Sequence, residues 1–191
     1  PHTDGLASLL RKDEVRGRVV VGGRVLVVID DETQFQNEPA FIYWDRRSRR
    51  QASLPSAQHV ICEHGRVVSR EPGVKNSSLC SLWLLQAETV EGFARCANLV
   101  RLSLPAIQCI KMRAFECCTA LRSVLCPARS VENRAFHGCT RLRSVSLPLV
   151  LVVLDEAFDG CVSLTSVSMP LAARIKHRAF ACCKRLTTVS F

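Results

Sequence analysis

The sequence predicts an α/β solenoid, built of stacked repeats with short strands and short helical turns and preceded by a small β-rich segment. Three observations predict it. Phe93, Phe115, Phe136, Phe158 and Phe180 recur at spacings of 22, 21, 22 and 22 residues. Columns of one residue type keep step with them, and self-similarity at a fixed period is the mark of a repeat architecture. Residues 1–78 do not share the period; they carry apolar, β-branched runs broken by turn formers.

The columns come first. A small residue precedes each Phe: Gly92, Ala114, Ala135, Ala157 and Ala179. Three residues after each Phe stands Cys96, Cys118, Cys139, Cys161 or Cys183, and six after stands Leu99, Leu121, Leu142, Leu164 or Leu186. Nine after comes Leu102, Val124, Val145, Val167 or Val189; eleven after comes Leu104, Cys126, Leu147, Met169 or Phe191. Pro105, Pro127, Pro148 and Pro170 follow, and Ile110, Val131, Val153 and Ile175 lie five residues before the last four Phe.

Spacing then suggests local structure. In Ala-Phe-x-x-Cys-x-x-Leu the apolar residues fall at i, i+3 and i+6, one stripe of a short helical turn. Leu-x-x-Val-x-Leu ends in alternation, so its last two members share one face of a short strand. Pro lacks the backbone donor and ends that strand. One such unit cannot bury its apolar face alone, but stacked units can. A period of roughly 20–29 residues with this spacing is the leucine-rich-repeat signature.

Residues 79–191 are therefore expected to form a leucine-rich-repeat solenoid of about five repeats of 21–22 residues. Leu79, Leu82 and Leu84 fit as the end of a degenerate first repeat, in which Leu85 replaces Pro and Glu88 replaces the aliphatic residue. Phe191 fills the last apolar column where Pro should follow, and an uncapped strand leaves a sticky edge, so further repeats or a cap are expected beyond it. The first residue is Pro1, no signal peptide is visible, and the natural N-terminus is expected upstream.

The pattern Ala-Phe-x-x-Cys-x-x-Leu-x-x-Val-x-Leu-Pro, at its clearest from Ala157 to Val167, resembles the BspA-type (Treponema pallidum-type) leucine-rich repeat. The resemblance covers about residues 79–191. It implies protein recognition, often at the cell surface or in adhesion and sometimes inside the cell, with no catalytic residue set and no named partner.

Residues 1–78 read as short strands of uncertain overall fold. Val19–Val21, Gly22-Gly23 and Arg24–Ile29 predict a hairpin, since paired glycines suit the positive φ of a tight turn. Phe41–Trp44 is a third strand, and Val60–Cys62 with Arg66–Val68 suggests a second hairpin around Glu63-His64-Gly65. Ser53-Leu54-Pro55 matches a repeat's strand end but has no upstream support and reads as coincidence. Turn formers at Glu71-Pro72-Gly73 and Asn76-Ser77-Ser78 mark a boundary.

Eleven cysteines are many, but five sit in the apolar stripe, where a buried Cys behaves as a small hydrophobe. Cys117 and Cys182 flank that stripe and are expected at the surface. An odd count leaves at least one thiol unpaired within the chain, and cysteine number alone does not set the compartment. Cys62-Glu63-His64 offers ligand types close together but no second Cys pair, and His2, His59, His137 and His177 show no ligand spacing, so no metal or cofactor is expected. Asp30-Asp31-Glu32 reads as a solvated turn, and Asn76-Ser77-Ser78 is a glycosylation sequon relevant only to a secreted protein. Nucleophile elbows and phosphate-binding loops are absent, so no catalytic residue and no small-molecule substrate are expected. No apolar run approaches the ~20 residues that span a bilayer.

The outward strand positions carry the binding expectation. They are Arg101 and Ser103, Ser123 and Leu125, Ser144 and Ser146, Ser166 and Ser168, and Thr188 and Ser190, which would stack into a ladder of hydroxyls. Before each Phe lie Lys111 and Arg113, Glu132 and Arg134, Leu154 and Glu156, and Lys176 and Arg178, a mixed and mostly basic stripe. Residues 1–92 hold 12 basic and 12 acidic residues, whereas residues 93–191 hold 14 and 5. The formal charge of +9 thus belongs to the repeats, where Arg122, Arg141, Arg143 and Arg185 add to the field. The leading expectation is a non-enzymatic protein-interaction or adhesion scaffold that uses one regular face, because repeat arrays present extended rows of side chains. A polyanion binder (nucleic acid, glycosaminoglycan or acidic lipid) and a regulatory module of a longer enzyme are the alternatives. Tyr43, Trp44 and Trp83 lie outside the five regular repeats, which leaves those repeats without stacking platforms for single-stranded nucleic acid.

Overall fold

In the computed structural model of this 191-residue protein, residues 79–191 are described in full. Of residues 1–78 only the backbone of six strands is described: β1 (Arg11–Lys12), β2 (Arg18–Val21), β3 (Arg24–Ile29), β4 (Phe41–Trp44), β5 (His59–Cys62) and β6 (Val67–Val68). Asp30-Asp31-Glu32, Ser53-Leu54-Pro55, Glu63-His64-Gly65 and residues 71–78 lie outside the described residues.

Each repeat contributes two strands. The three-residue strands are β9 (Arg101–Ser103), β11 (Ser123–Leu125), β13 (Ser144–Ser146), β15 (Ser166–Ser168) and β17 (Thr188–Ser190); β7 (Ser81–Leu84) precedes them in the same series. The two-residue strands are β8 (Thr89–Val90), β10 (Cys109–Ile110), β12 (Ser130–Val131), β14 (Val152–Val153) and β16 (Arg174–Ile175). Every pairing between repeats is parallel, as stacked copies of one unit require.

Three sheets result. One runs β11-β13-β15-β17 and another β6-β8-β10-β12-β14-β16. The third runs β1-β2-β3-β4-β5-β7-β9, so its ladder crosses from the first 78 residues into the repeats. Within it β2 and β3 pair antiparallel with Val21 opposite Arg24, while Gly22-Gly23 lies outside the described residues. β5 and β6 do not form the expected second hairpin: β5 pairs in parallel with β4 and β7, while β6 joins β8 in a different sheet.

The columns form the core. Phe115, Phe136, Phe158, Cys118, Cys139, Cys161, Leu121, Leu142 and Leu164 are all fully buried. The five Phe rings stack face over face, with centroids 6.0, 5.4, 5.2 and 5.1 Å apart and interplanar angles falling from 20° to 2°. Burial weakens at the far end, where Phe180 and Leu186 are only half-buried and Val189 and Phe191 are exposed. The single 21-residue spacing has a local cause. After Pro127 the exposed residue that other repeats carry at Ala106, Leu149 or Leu171 is missing, and Ala128 drops into the core position of Ile107 and Val150.

The expected helical turns do not form; among the described residues there is no helix. The Ala-Phe-x-x-Cys segments are consecutive tight turns, and the backbone states why. Two positions per repeat adopt positive φ: two residues before Phe (Arg113, Arg134, Glu156, Arg178) and two after it (Arg95, Cys117, Gly138, Gly160, Cys182), between 54° and 75°. A left-handed residue every fourth position interrupts a right-handed helix. Amides then alternate in use. Ala114, Glu116 and Cys118 donate to carbonyls three residues back, whereas Arg113, Phe115 and Cys117 donate to Asn133, Ala135 and His137 of the next repeat. The same alternation recurs from Arg134 to Gly138 and from Glu156 to Gly160. A helix would satisfy all these amides internally; here half of them stitch repeats together.

Candidate functional site

The register turns the predicted hydroxyl face into two straight rows. Ser123, Ser144, Ser166 and Thr188 stand opposite one another, as do Leu125, Ser146, Ser168 and Ser190. Between the rows Val124, Val145 and Val167 point inward, each 2% exposed. Parity fixes this arrangement, because neighbouring residues of a strand face opposite sides. The two rows line a shallow groove of about 460 Å³. Leu125 interrupts the second row with an exposed apolar side chain at one end. Arg101 and Ser103 do not join it: β9 pairs with β7, placing Arg101 beside Ser81 and Ser103 beside Trp83 in a different sheet.

The basic stripe is largely compensated. Lys111 Nζ lies 2.9 Å from Glu132 Oε1, and Arg134 Nε lies 2.7 Å from Glu156 Oε2. Arg113 approaches Glu116 at 3.9 Å and Arg178 approaches Asp159 at 3.5 Å. Lys176 is exposed. Glu132 also accepts from the Met112 amide at 3.0 Å and the Cys109 thiol at 3.4 Å. Partial burial would raise its pKa, but the bonds from Lys111, Cys109 and Met112 outweigh that and hold it below the usual carboxylate range. The hydrogen bond from Arg134 likewise lowers Glu156. Arg122, Arg141, Arg143 and Arg185 are exposed.

The cysteine column is structural. Cys118, Cys139, Cys161 and Cys183 each donate to the carbonyl of the Phe one repeat back, Phe93, Phe115, Phe136 and Phe158, at 3.2–3.3 Å. Burial raises the pKa of Cys118, Cys139 and Cys161 and pushes Cys183 and Cys126 up to about 11, so these thiols are poor nucleophiles. The eight cysteines from Cys109 to Cys183 form no disulfide. Of the two flanking cysteines, Cys182 is exposed and Cys117 half-buried.

One grouping has no counterpart in the sequence reading. His137, Glu156 and Asp159 each bring a ligand atom within 4.8 Å of the other two. His137 and Asp159 hold the same column one repeat apart, directly after Phe136 and Phe158. Comparing columns rather than motifs would have found the pair. His137 Nδ1 is buried without a hydrogen-bond partner, 3.8 Å from Asp159 Oδ2.

No described helix is long and apolar enough to cross a membrane. No curated protein matches the chain. Among solved structures, a leucine-rich-repeat protein of T. pallidum is similar at 16% identity and a TM-score of 0.49, over 95% of this chain and 89% of that one. A leucine-rich-repeat protein from Bacteroides ovatus is similar at 16% identity and a TM-score of 0.32, over 70% of this chain and 64% of that one. The BspA type leucine rich repeat region matches residues 89–191 in six copies, more than half of the sequence. With the repeat columns buried and stacked as that pattern requires, the chain belongs to the BspA-type leucine-rich-repeat family.

Proposed function

We propose that this protein is a non-enzymatic interaction scaffold whose binding surface is the hydroxyl-lined face of β11, β13, β15 and β17, with adhesion or another cell-surface role as the setting the family suggests. The observation that carries the reading is the pair of in-register rows beside a groove of about 460 Å³. Ser and Thr present donors and acceptors on short side chains, so a partner's backbone can approach closely at little entropic cost. Exposed Leu125 supplies an apolar anchor at one end. Arg101 and Ser103 would contribute only to a partner that reaches past the break between β9 and β11.

Polyanion binding is the second reading, favoured by the 14 basic against 5 acidic residues of the repeats. The pairing of Lys111, Arg134 and Arg178 with carboxylates counts against it, since those charges already have local partners. Retention of the whole protein on heparin and DNA columns separates the two. Counterion release makes polyanion binding steeply salt-dependent. Elution at low salt, unchanged in a variant with Lys111, Arg113, Lys176 and Arg178 replaced by Ser, supports the scaffold reading; high-salt elution lost in that variant overturns it.

A further inference from the structure

We propose that His137, Glu156 and Asp159 form a divalent-metal site of the zinc class, held between two successive repeats. Each ligand comes from a turn whose backbone is fixed by hydrogen bonds to the next layer. Gly138 N–H donates to Asp159 O at 2.8 Å and Glu156 N–H donates to His177 O at 3.1 Å. The three side chains therefore start from anchored positions.

His137 Nδ1 is the signal. A buried ring nitrogen normally has a partner, because an unmet one carries the full cost of desolvation. Here it has none, and Asp159 Oδ2 at 3.8 Å is too far for a hydrogen bond. That separation suits an ion between them. Two ligands each about 2.1 Å from zinc stand about 3.4 Å apart at the tetrahedral angle, and wider at larger angles. Glu156, within 4.8 Å of both, supplies a third ligand by rotation of its side chain. A three-ligand nitrogen and oxygen set leaves one position for water, the composition of an open zinc site.

The surrounding charges fit the same arrangement. Arg134 Nε holds Glu156 Oε2 at 2.7 Å, which orients the carboxylate and leaves Oε1 free to ligate. Arg178 reaches Asp159 Oδ2 at a long 3.5 Å, from a side chain 51% exposed. It stands in for the cation and swings to solvent when an ion arrives. Arg178 is thus a competitor of the metal, and its removal strengthens binding.

Titration of the whole protein with zinc chloride tests this, after alkylation of accessible thiols such as Cys182, with thermal unfolding and calorimetry as readouts. The expected result is a saturable rise in Tm. His137→Gln and Asp159→Asn weaken binding by roughly tenfold or more, and Arg178→Gln tightens it. Where His137→Gln does not fold, Glu156→Gln, whose side chain is only partly buried, replaces it. Absence of a Tm rise in the wild-type protein, or an equal rise in the ligand variants, overturns the site and assigns any zinc uptake to residual thiols.

Discussion

The thiol of Cys139 donates to the carbonyl oxygen of Phe115 at 3.2 Å, and that carbonyl also accepts the amide of Cys118 at 3.2 Å. One oxygen thus closes a turn and ties two repeats together. Cys139→Ala removes the thiol contact and leaves a small void, so urea unfolding should show a loss of about 1 kcal/mol. Cys139→Ser keeps a donor of similar size and should recover part of it. A Cys139→Ser midpoint no higher than that of Cys139→Ala would mean the thiol's hydrogen bond adds nothing beyond packing.

Cys117 and Gly160 occupy equivalent left-handed positions, at φ 58° and 75°. A non-glycine residue there carries conformational strain. Cys117→Gly should therefore raise stability by up to about 1 kcal/mol, the relief being partly offset by a freer unfolded chain. Gly160→Ala should lower it by about 1 kcal/mol, for conformational rather than steric reasons, because an added Cβ meets Gly138 only at ordinary contact distance, 3.5 Å. Thermal melts of the two variants should move in opposite directions.

Phe136 lies mid-stack and is fully buried, whereas Phe180 at the end is half-buried. Phe136→Ala should cost about 3–5 kcal/mol. Phe180→Ala should cost about half as much or less, since less surface leaves water when it folds. Denaturant titration gives both values, and similar losses would show that the end repeat is better covered than its exposure indicates.

Glu132 and Glu156 are both held below the usual carboxylate range by their partners. A depressed folded-state pKa contributes stability above the unfolded value, ~4.3 for Glu, and that contribution is lost as pH falls through the folded value. Glu132→Gln should thus destabilise the protein at pH 7 by roughly 0.5 kcal/mol, discounted because the Lys111 side chain is 42% exposed, and the gap should close as pH falls through the lowered folded value. Urea midpoints followed from neutral to acid pH check the sign.

How much of this could be read from the residues differs by feature. The Phe, Cys and Leu columns named the core, because a repeat that stacks must bury the same position every time. The two hydroxyl rows followed from the parity of Ser144-Val145-Ser146 and Ser166-Val167-Ser168. The helical turn around Ala114-Phe115 did not form, because spacing i, i+3, i+6 fits consecutive tight turns as well as it fits a helix. The deciding clue was Gly138 and Gly160 in one column, a sign of positive φ that Arg95, Cys117 and Cys182 mask in the other repeats. The ion pairs Lys111–Glu132 and Arg134–Glu156, and the approach of His137 to Asp159, join residues about one period apart, so no local motif announces them. Arg101 left the predicted row because β9 pairs with β7 and not with β11, an interruption without a residue signature.

The Phe stack and the strand ladders advance together, one ring and one strand per repeat. Strands paired in a ladder lie about 4.8 Å apart, and the ring centroids stand 5.1–6.0 Å apart. Any partner of the hydroxyl rows therefore meets side chains repeated at the strand step, so an extended segment laid across the strands would find a like contact at every layer.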